Sequence, residues 1–429
     1  MKLTLEEKRM LDGEQGDLVR EAMEFLVALG EAYGAEQMIN ISFANVFIAS
    51  SFWGQGTLTR DLIDEAVRSG VKVKVPTTFN NWGLGCPSTP ASIWDDLDVP
   101  DKVREQVINE NEIAIQLGIL PTWTCSPYLV IDTGSFPRGS HITTVESSAI
   151  VYYNSVLGAR TNRDCMAAFF AAITGKYPAC GFHLDENRHA VYQFDVLASM
   201  EDSLSFGLLG VFAGKICGME TPVFTGLSLP KSEGLRQLSA ALASSGAVSL
   251  FHIVGVTPEA PDLKTALGGR KPLERVTVSQ DDLDAVYSHL SQGEGGVDFV
   301  CLGCPHYSIH EVKEVAELLE GRKVNPNVTL WICTSPQTAI LAEMAGYTKK
   351  ITDAGGMLMS GPAYCPLFGP GRPGPEYTFS HPDYSIGAYA TDAVKQAYYA
   401  VPNLRAKRVF LGSRAQCIQA AITGEWRIN

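Results

Sequence analysis

Ten cysteines are spread over the 429 residues, and three of them share a setting. Cys125 stands in Thr-Trp-Thr-Cys-Ser-Pro-Tyr, Cys304 in Cys301-Leu-Gly-Cys304-Pro-His306, and Cys365 in Gly-Pro-Ala-Tyr-Cys-Pro. Each is followed by proline at once or after one residue, which keeps the thiol on a rigid, non-helical turn. Cys301 and Cys304 form the only Cys-x-x-Cys. A zinc site would need a second pair, and Pro305 interrupts the helix that a thioredoxin-type dithiol should open. Cys165, Cys217, Cys301, Cys333 and Cys417 fall in predicted helices or strands and read as core packing. Cys86 and Cys180 lie in loops, and Cys86, which precedes Pro87, is the reserve candidate. Three thiolates converging from separate loops suit an iron-sulfur cluster with one iron lacking a protein ligand, a Lewis acid able to take a substrate hydroxyl and carboxylate. The same residues are also compatible with buried thiols or with a non-catalytic cluster or zinc protein.

A second constellation runs from Glu146-Ser147-Ser148 through Asn154 and Gly158 to Arg160-Thr161-Asn162-Arg163. A capped helix explains the serines. It leaves the Arg-Thr-Asn-Arg run unexplained, and two guanidinium forks with interleaved polar groups suit a carboxylate or phosphate. A small anionic substrate is expected. Gly369-Pro-Gly371-Arg-Pro-Gly374 matches a dinucleotide pattern, but its prolines block the helix start that pattern requires. Phosphate-loop, nucleophile-elbow and zinc-helix motifs are absent from the sequence.

Several stretches together resemble the aconitase X family. They are Thr-Cys125-Ser-Pro-Tyr, Glu146-Ser-Ser-Ala with Asn154-Ser-Val-Leu-Gly-Ala-Arg-Thr-Asn-Arg163, Gly181-Phe-His183-Leu-Asp-Glu-Asn-Arg188, Ser244 to Ala260, and Gly303-Cys-Pro-His306. The resemblance implies the large subunit of an iron-sulfur hydro-lyase with Cys125, Cys304 and Cys365 as cluster ligands. A small swivelling-domain subunit would be the partner and would carry the catalytic base, a serine by analogy with aconitase. Within the family, dehydration of cis-3-hydroxy-L-proline and of mevalonate 5-phosphate are prominent. The composition lacks the Lys/Glu excess of hyperthermophiles, which favours the first. Arg160 and Arg163 are then the candidate carboxylate receptors, and Ser147, Ser148, Thr161 and Asn162 line the substrate site. His306 is a partner of the cluster surroundings and His183 a candidate proton carrier; His252 reads as a core histidine. The chain departs from the family at Ala44-Asn45, Thr144-Val145, Asp164-Cys165 and the segment before Cys365, all in candidate substrate-facing loops.

The elements that must position these residues alternate regularly. Two helices are predicted over residues 5–34 and strands over 38–43 and 71–75 around a helix at 58–68. A helix spans 102–117, in a region of long loops at 80–140. Beyond residue 231, helices at 233–244, 281–290, 309–319 and 338–345 alternate with strands at 297–302, 328–333 and 357–359, and 247–254 is a buried apolar run. This is an α/β pattern, with parallel sheets flanked by helices around a central cleft. Four segments are expected: 1–80, 81–230 bearing the site, 231–365, and 366–429, with 362–375 as a linker or lid. An excess of 47 acidic over 34 basic residues gives a net charge of −13, which disfavours nucleic acid and anionic membranes. An acidic amphipathic start in place of a signal peptide leads to the expectation of a cytoplasmic protein with reduced cysteines.

Overall fold

The computed structural model describes residues 1–47, 60–80, 86, 101–163, 166–361, 386–404 and 406–428. The pairs Leu5–Leu11 with Asp17–Ala32 and the alternation after residue 231 form close to where the apolar periodicity places them. Three parallel sheets result. The first carries Leu120–Pro121, Thr77–Phe79, Ala44–Val46 and Thr143–Thr144 side by side in that order. The second carries Glu274–Val278, Tyr192–Val196, Pro222–Thr225 and His252–Ile253. The third orders Met357–Ser360, Thr329–Thr334, Phe299–Tyr307, Ala388–Thr391 and Arg408–Leu411.

Every residue of Phe299–Tyr307 is buried, as a central strand covered by helices on both faces requires. In all three sheets the strand order reverses partway across: between Ala44–Val46 and Thr143–Thr144, between Tyr192–Val196 and Glu274–Val278, and between Phe299–Tyr307 and Ala388–Thr391. Open α/β sheets bind ligands at such reversals, beyond the carboxyl ends of the strands.

Three expectations change. The run expected as one strand at 38–43 supplies Met38–Asn40, which pairs antiparallel with Lys176–Pro178; the parallel strand is Ala44–Val46. Residues 71–75 form no strand despite their alternation. Single backbone bonds from Val73 to Leu117 and from Lys74 to Ala172 tie them down, and the strand starts after Pro76, at Thr77. Of the apolar run 247–254 only His252–Ile253 pairs as a strand. Ala388–Thr391 and Arg408–Leu411 complete the sheet begun at Phe299, so the segments 231–365 and 366–429 are interleaved. The proposed linker or lid at 362–375 lies outside the described residues.

Candidate active site

The carboxyl ends of the first and third sheets face one another across the candidate site. Past Leu120–Pro121 the chain turns at Trp123, a non-glycine residue at φ 41°, held by a bond from its indole Nε1 to Asn111 Oδ1 at 3.3 Å. Such backbone strain persists only where the surroundings impose it. It delivers Thr124 and Cys125, both buried. From the third sheet, Phe299–Tyr307 brings Gly303 and Cys304. Gly303 has φ 93°, and a Cβ there would collide with the Cys333 carbonyl. Cys304 is joined to Pro305 by a cis peptide bond.

The two turns meet at His306. Its backbone N–H points at Cys125 Sγ at 3.3 Å, and its ring Nδ1 lies 2.9 Å from Thr124 Oγ1. Burial drives the His306 ring down to a pKa of about 3, so it is neutral. Burial, with the neighbouring Cys304 and Glu146, pushes the Cys125 thiol up to about 12. The His306 carbonyl accepts from Arg236 Nη1 at 2.7 Å, and Arg236 in turn pairs with Glu311 in the interior.

Glu146 caps the helix Ser147–Ser155, accepting from Ser148 N at 3.4 Å and Ser148 Oγ at 3.1 Å. Lys395, from the helix Val394–Leu404 that follows Ala388–Thr391, places Nζ 3.5 Å from both Glu146 Oε1 and Ser147 Oγ. Arg163 is solvent-accessible, feels the Glu146 carboxylate and donates Nη2 to the Val248 carbonyl at 3.0 Å; enclosure by the protein lowers its pKa. Glu146 and Lys395 both act electrostatically on Cys125, with Ser147 beside Lys395 and Arg163 within the field of Glu146.

The remaining expected site residues are held by the protein itself. Arg160 donates to the His183 carbonyl at 2.9 Å and pairs with Asp185. Thr161 is buried and held through its N–H by Asn154 Oδ1 at 3.0 Å. Asn162 bridges the Phe182 N–H at 2.7 Å and the Cys180 carbonyl at 3.2 Å. This run lies alongside 141–144, with His141 beside Arg160 and Thr144 beside Arg163. Arg160 thus sits about 10 Å up the ladder from Arg163, at 3.3 Å per residue.

His183 is buried, its Nδ1 is 3.1 Å from His141 Nδ1, and burial lowers its pKa well below the ordinary value. Asp185 pairs with Arg160, and Arg188 with Glu259 at 2.8 Å; His183 joins neither ion pair. His252 bonds the Arg188 carbonyl at 2.7 Å inside the core. Cys301 Sγ lies 3.9 Å from Cys333 Sγ, both fully buried. Two departures from the family pattern meet: Thr144 Oγ1 donates to Asn45 Oδ1 at 3.2 Å, and Asn45 Nδ2 donates to Thr78 Oγ1 at 2.9 Å. Cys365 lies outside the described residues, among which no group of three or more His, Cys, Asp and Glu is arranged to hold a metal. Sequence reasoning did not single out Lys395 or Arg236; each is a lone basic residue in an ordinary helical pattern.

Comparison with known proteins agrees with this geometry. Family models for the aconitase X first, second and third domains match residues 1–186, 189–288 and 297–423, each containing one of the parallel sheets. The phosphomevalonate dehydratase large subunit of Methanothermobacter thermautotrophicus is 40% identical over 82% of this chain and 85% of its own length. The cis-3-hydroxy-L-proline dehydratase of Pseudomonas aeruginosa is 34% identical over 97% of this chain and 69% of its own. The crystal structure of Thermococcus kodakaraensis aconitase X in its holo-form superposes with a TM-score of 0.82 at 33% identity, covering 98% of this chain and all of that one. The chain belongs to the aconitase X family and is a hydro-lyase built on that family's α/β fold.

Proposed function

We propose that this chain is the large subunit of an iron-sulfur dehydratase of cis-3-hydroxy-L-proline, with Cys125, Cys304 and Cys365 as cluster ligands and a small subunit as partner. The observation that carries the cluster reading is the meeting of Cys125 and Cys304 from two different sheets around the His306 N–H, which stands 3.3 Å from Cys125 Sγ. The donor set fits such a group: buried thiols from separate turns, with a backbone N–H aimed at a sulfur that becomes a thiolate on binding iron. When bound, the cluster supplies a Lewis-acidic iron that makes hydroxide a tolerable leaving group. Arg163 and Ser147 bind the polar groups of the substrate beside it. Arg160, Thr161 and Asn162 fix the strand from which Arg163 projects. His306 contributes its N–H to Cys125, and its neutral ring keeps Thr124 in place. Burial of Cys125 and Cys304 excludes water from the thiol pair. The base that removes the proton next to the carboxylate is assigned to the small subunit, in keeping with the large-subunit names of several relatives.

The substrate assignment is supported by the span of the similarity, since two hydroxyproline dehydratases align over 97% and 99% of this chain. Mevalonate 5-phosphate is the second reading, favoured by the 40% identity of a phosphomevalonate dehydratase large subunit. Anaerobically loaded protein, assayed with its small subunit on both compounds, should consume cis-3-hydroxy-L-proline. Cys125→Ser and Cys304→Ser should each lose iron and the visible absorbance, and Cys301→Ser should keep both. Retention of iron by Cys125→Ser with loss in Cys301→Ser would refute the ligand set. Turnover of mevalonate 5-phosphate alone would refute the substrate.

A further inference from the structure

Outside glycine, a left-handed backbone occurs at two of the described residues, Trp123 and Ala247, the latter with φ 58°. Trp123 leads into the Cys125 turn. Ala247 lies in the Ser244 to Ala260 stretch that helps carry the family resemblance. Its own side chain does not account for the conformation, because Ala247 is exposed. Its neighbours do. Gly246 closes the helix Ser232–Ser245, giving its N–H to the Leu242 carbonyl at 3.2 Å, and lies so near the Gly214 carbonyl that a Cβ would collide with it. Val248 is fully buried, and its carbonyl accepts from Arg163 Nη2 at 3.0 Å. Ala247 spans these two fixed points, and such strain persists only where the surroundings impose it.

The residues after Ala247 show what the strain serves. The apolar run joins a sheet only at His252–Ile253, because side chains from elsewhere claim the backbone before it. Val248 O takes Arg163, Ser249 O takes Asn154 Nδ2 at 2.9 Å, and the Phe251 N–H goes to Ser155 Oγ at 2.8 Å. Buried backbone groups must find partners. Here the partners fall in the first aconitase X domain, whereas residues 248–251 fall in the second. Asn154 and Ser155 are buried and fasten the segment; Arg163 is exposed, and the fastened segment holds it. A guanidinium carries its N–H donors in one plane, so a bond to a fixed carbonyl sets the direction of the others. Without that carbonyl the guanidinium is free to turn toward Glu146, whose carboxylate attracts it.

We propose that Ala247 is a positioning residue for substrate binding: its left-handed turn aims the Val248 carbonyl at Arg163 and so directs the remaining guanidinium donors to the substrate carboxylate. This rests on the reading of Arg163 as a substrate-binding residue, and makes substrate affinity depend on how the first two domains are joined.

The test uses the cluster-loaded enzyme with its small subunit, assayed on cis-3-hydroxy-L-proline and mevalonate 5-phosphate, both of which carry a carboxylate. Ala247→Val places a β-branched residue, strongly disfavoured at positive φ, where its side chain meets solvent instead of core. It should raise KM by about ten- to hundred-fold, the worth of one charge-assisted hydrogen bond, at nearly unchanged kcat and iron content. Ala247→Gly accepts the same φ freely and should stay within about two-fold of wild type. Arg163→Lys should raise KM by a similar factor to Ala247→Val, and combining the two should add little, since both act through one guanidinium. Ser155→Ala, which releases the Phe251 N–H and loosens the same segment, should raise KM several-fold and keeps the test decisive if Ala247→Val does not fold. Unchanged KM in Ala247→Val or, failing that, in Ser155→Ala, with Arg163→Lys impaired, overturns the positioning role and leaves Arg163 in the site. An effect of Ala247→Val that persists in full in the Arg163→Lys background also overturns it, because the residue would then act on the fold at large. Unchanged KM in Arg163→Lys overturns the reading of Arg163 and the positioning role with it, and turnover of neither compound overturns the proposed function together with both.

Discussion

Arg236→Met is the most exacting test of how the thiol-bearing turn is held. Arg236 is 2% exposed on the helix Ser232–Ser245, gives Nη1 to the His306 carbonyl at 2.7 Å and pairs through Nη2 with Glu311. Methionine fills much of the space and supplies neither contact. The His306 carbonyl loses a charged donor, a loss of about 1–3 kcal/mol for a buried group. Breaking one side of a buried ion pair costs about 3–5 kcal/mol. Glu311 keeps Arg414 Nη2 at 3.3 Å and two bonds from Ser308 at 2.8 Å, so the two losses do not add in full. The expected total is about 3–5 kcal/mol, which at ~2–4 °C per kcal/mol for a domain of this size lowers the thermal midpoint by roughly 6–20 °C.

Arg236→Lys retains the charge but loses the fork that serves His306 and Glu311 together, and should fall between. Thermal unfolding of the unloaded protein, followed by circular dichroism, measures the stability; iron content after anaerobic loading measures the turn. Because the His306 carbonyl and the N–H facing Cys125 belong to one residue, iron occupancy should fall along with stability. A Met variant that unfolds within about 2 °C of wild type and loads fully would refute this account of the turn, since less than about 1 kcal/mol would then be at stake.

Two further outcomes are expected. Gly303→Ala should give protein that is insoluble or binds no iron, because φ 93° is unfavourable for alanine and its Cβ would run into the Cys333 carbonyl; a soluble, fully loaded variant would contradict the packing described. Acid should destabilise the protein early. Burial lowers the pKa of His183 and His252 in the folded state, so they contribute no penalty above the unfolded value near 6.5 and cost stability as pH falls below it, by up to ~1.4 kcal/mol per unit each. The thermal midpoint should be level above pH 7 and drop between pH 6.5 and 5.5, with a shallower drop in His252→Gln; an unchanged midpoint across that window would refute the buried neutral state.

Much of the protein is legible in its sequence. The prolines after Cys125 and Cys304 mark non-helical backbone at both thiols, and the Gly303-Cys-Pro-His306 and Arg160 to Arg163 motifs carry the family. The apolar runs at 297–302 and 328–333 read as strands, and strands form there as Phe299–Tyr307 and Thr329–Thr334. Local chemistry fixes these features, so local reading finds them. What escapes it depends on partners far along the chain. The alternation at 71–75 has the period of a strand, yet Pro76 and the neighbouring Thr77–Phe79 decide where the ladder runs. Arg160 and Arg163 look equivalent three residues apart, and only the bonds to His183, Asp185 and Val248 send one to an internal clamp and the other to the candidate site. Glu146 and Lys395 lie 249 positions apart and carry no mutual signal. They meet because two sheets turn their carboxyl ends toward each other, and that juxtaposition is set by how the whole core packs.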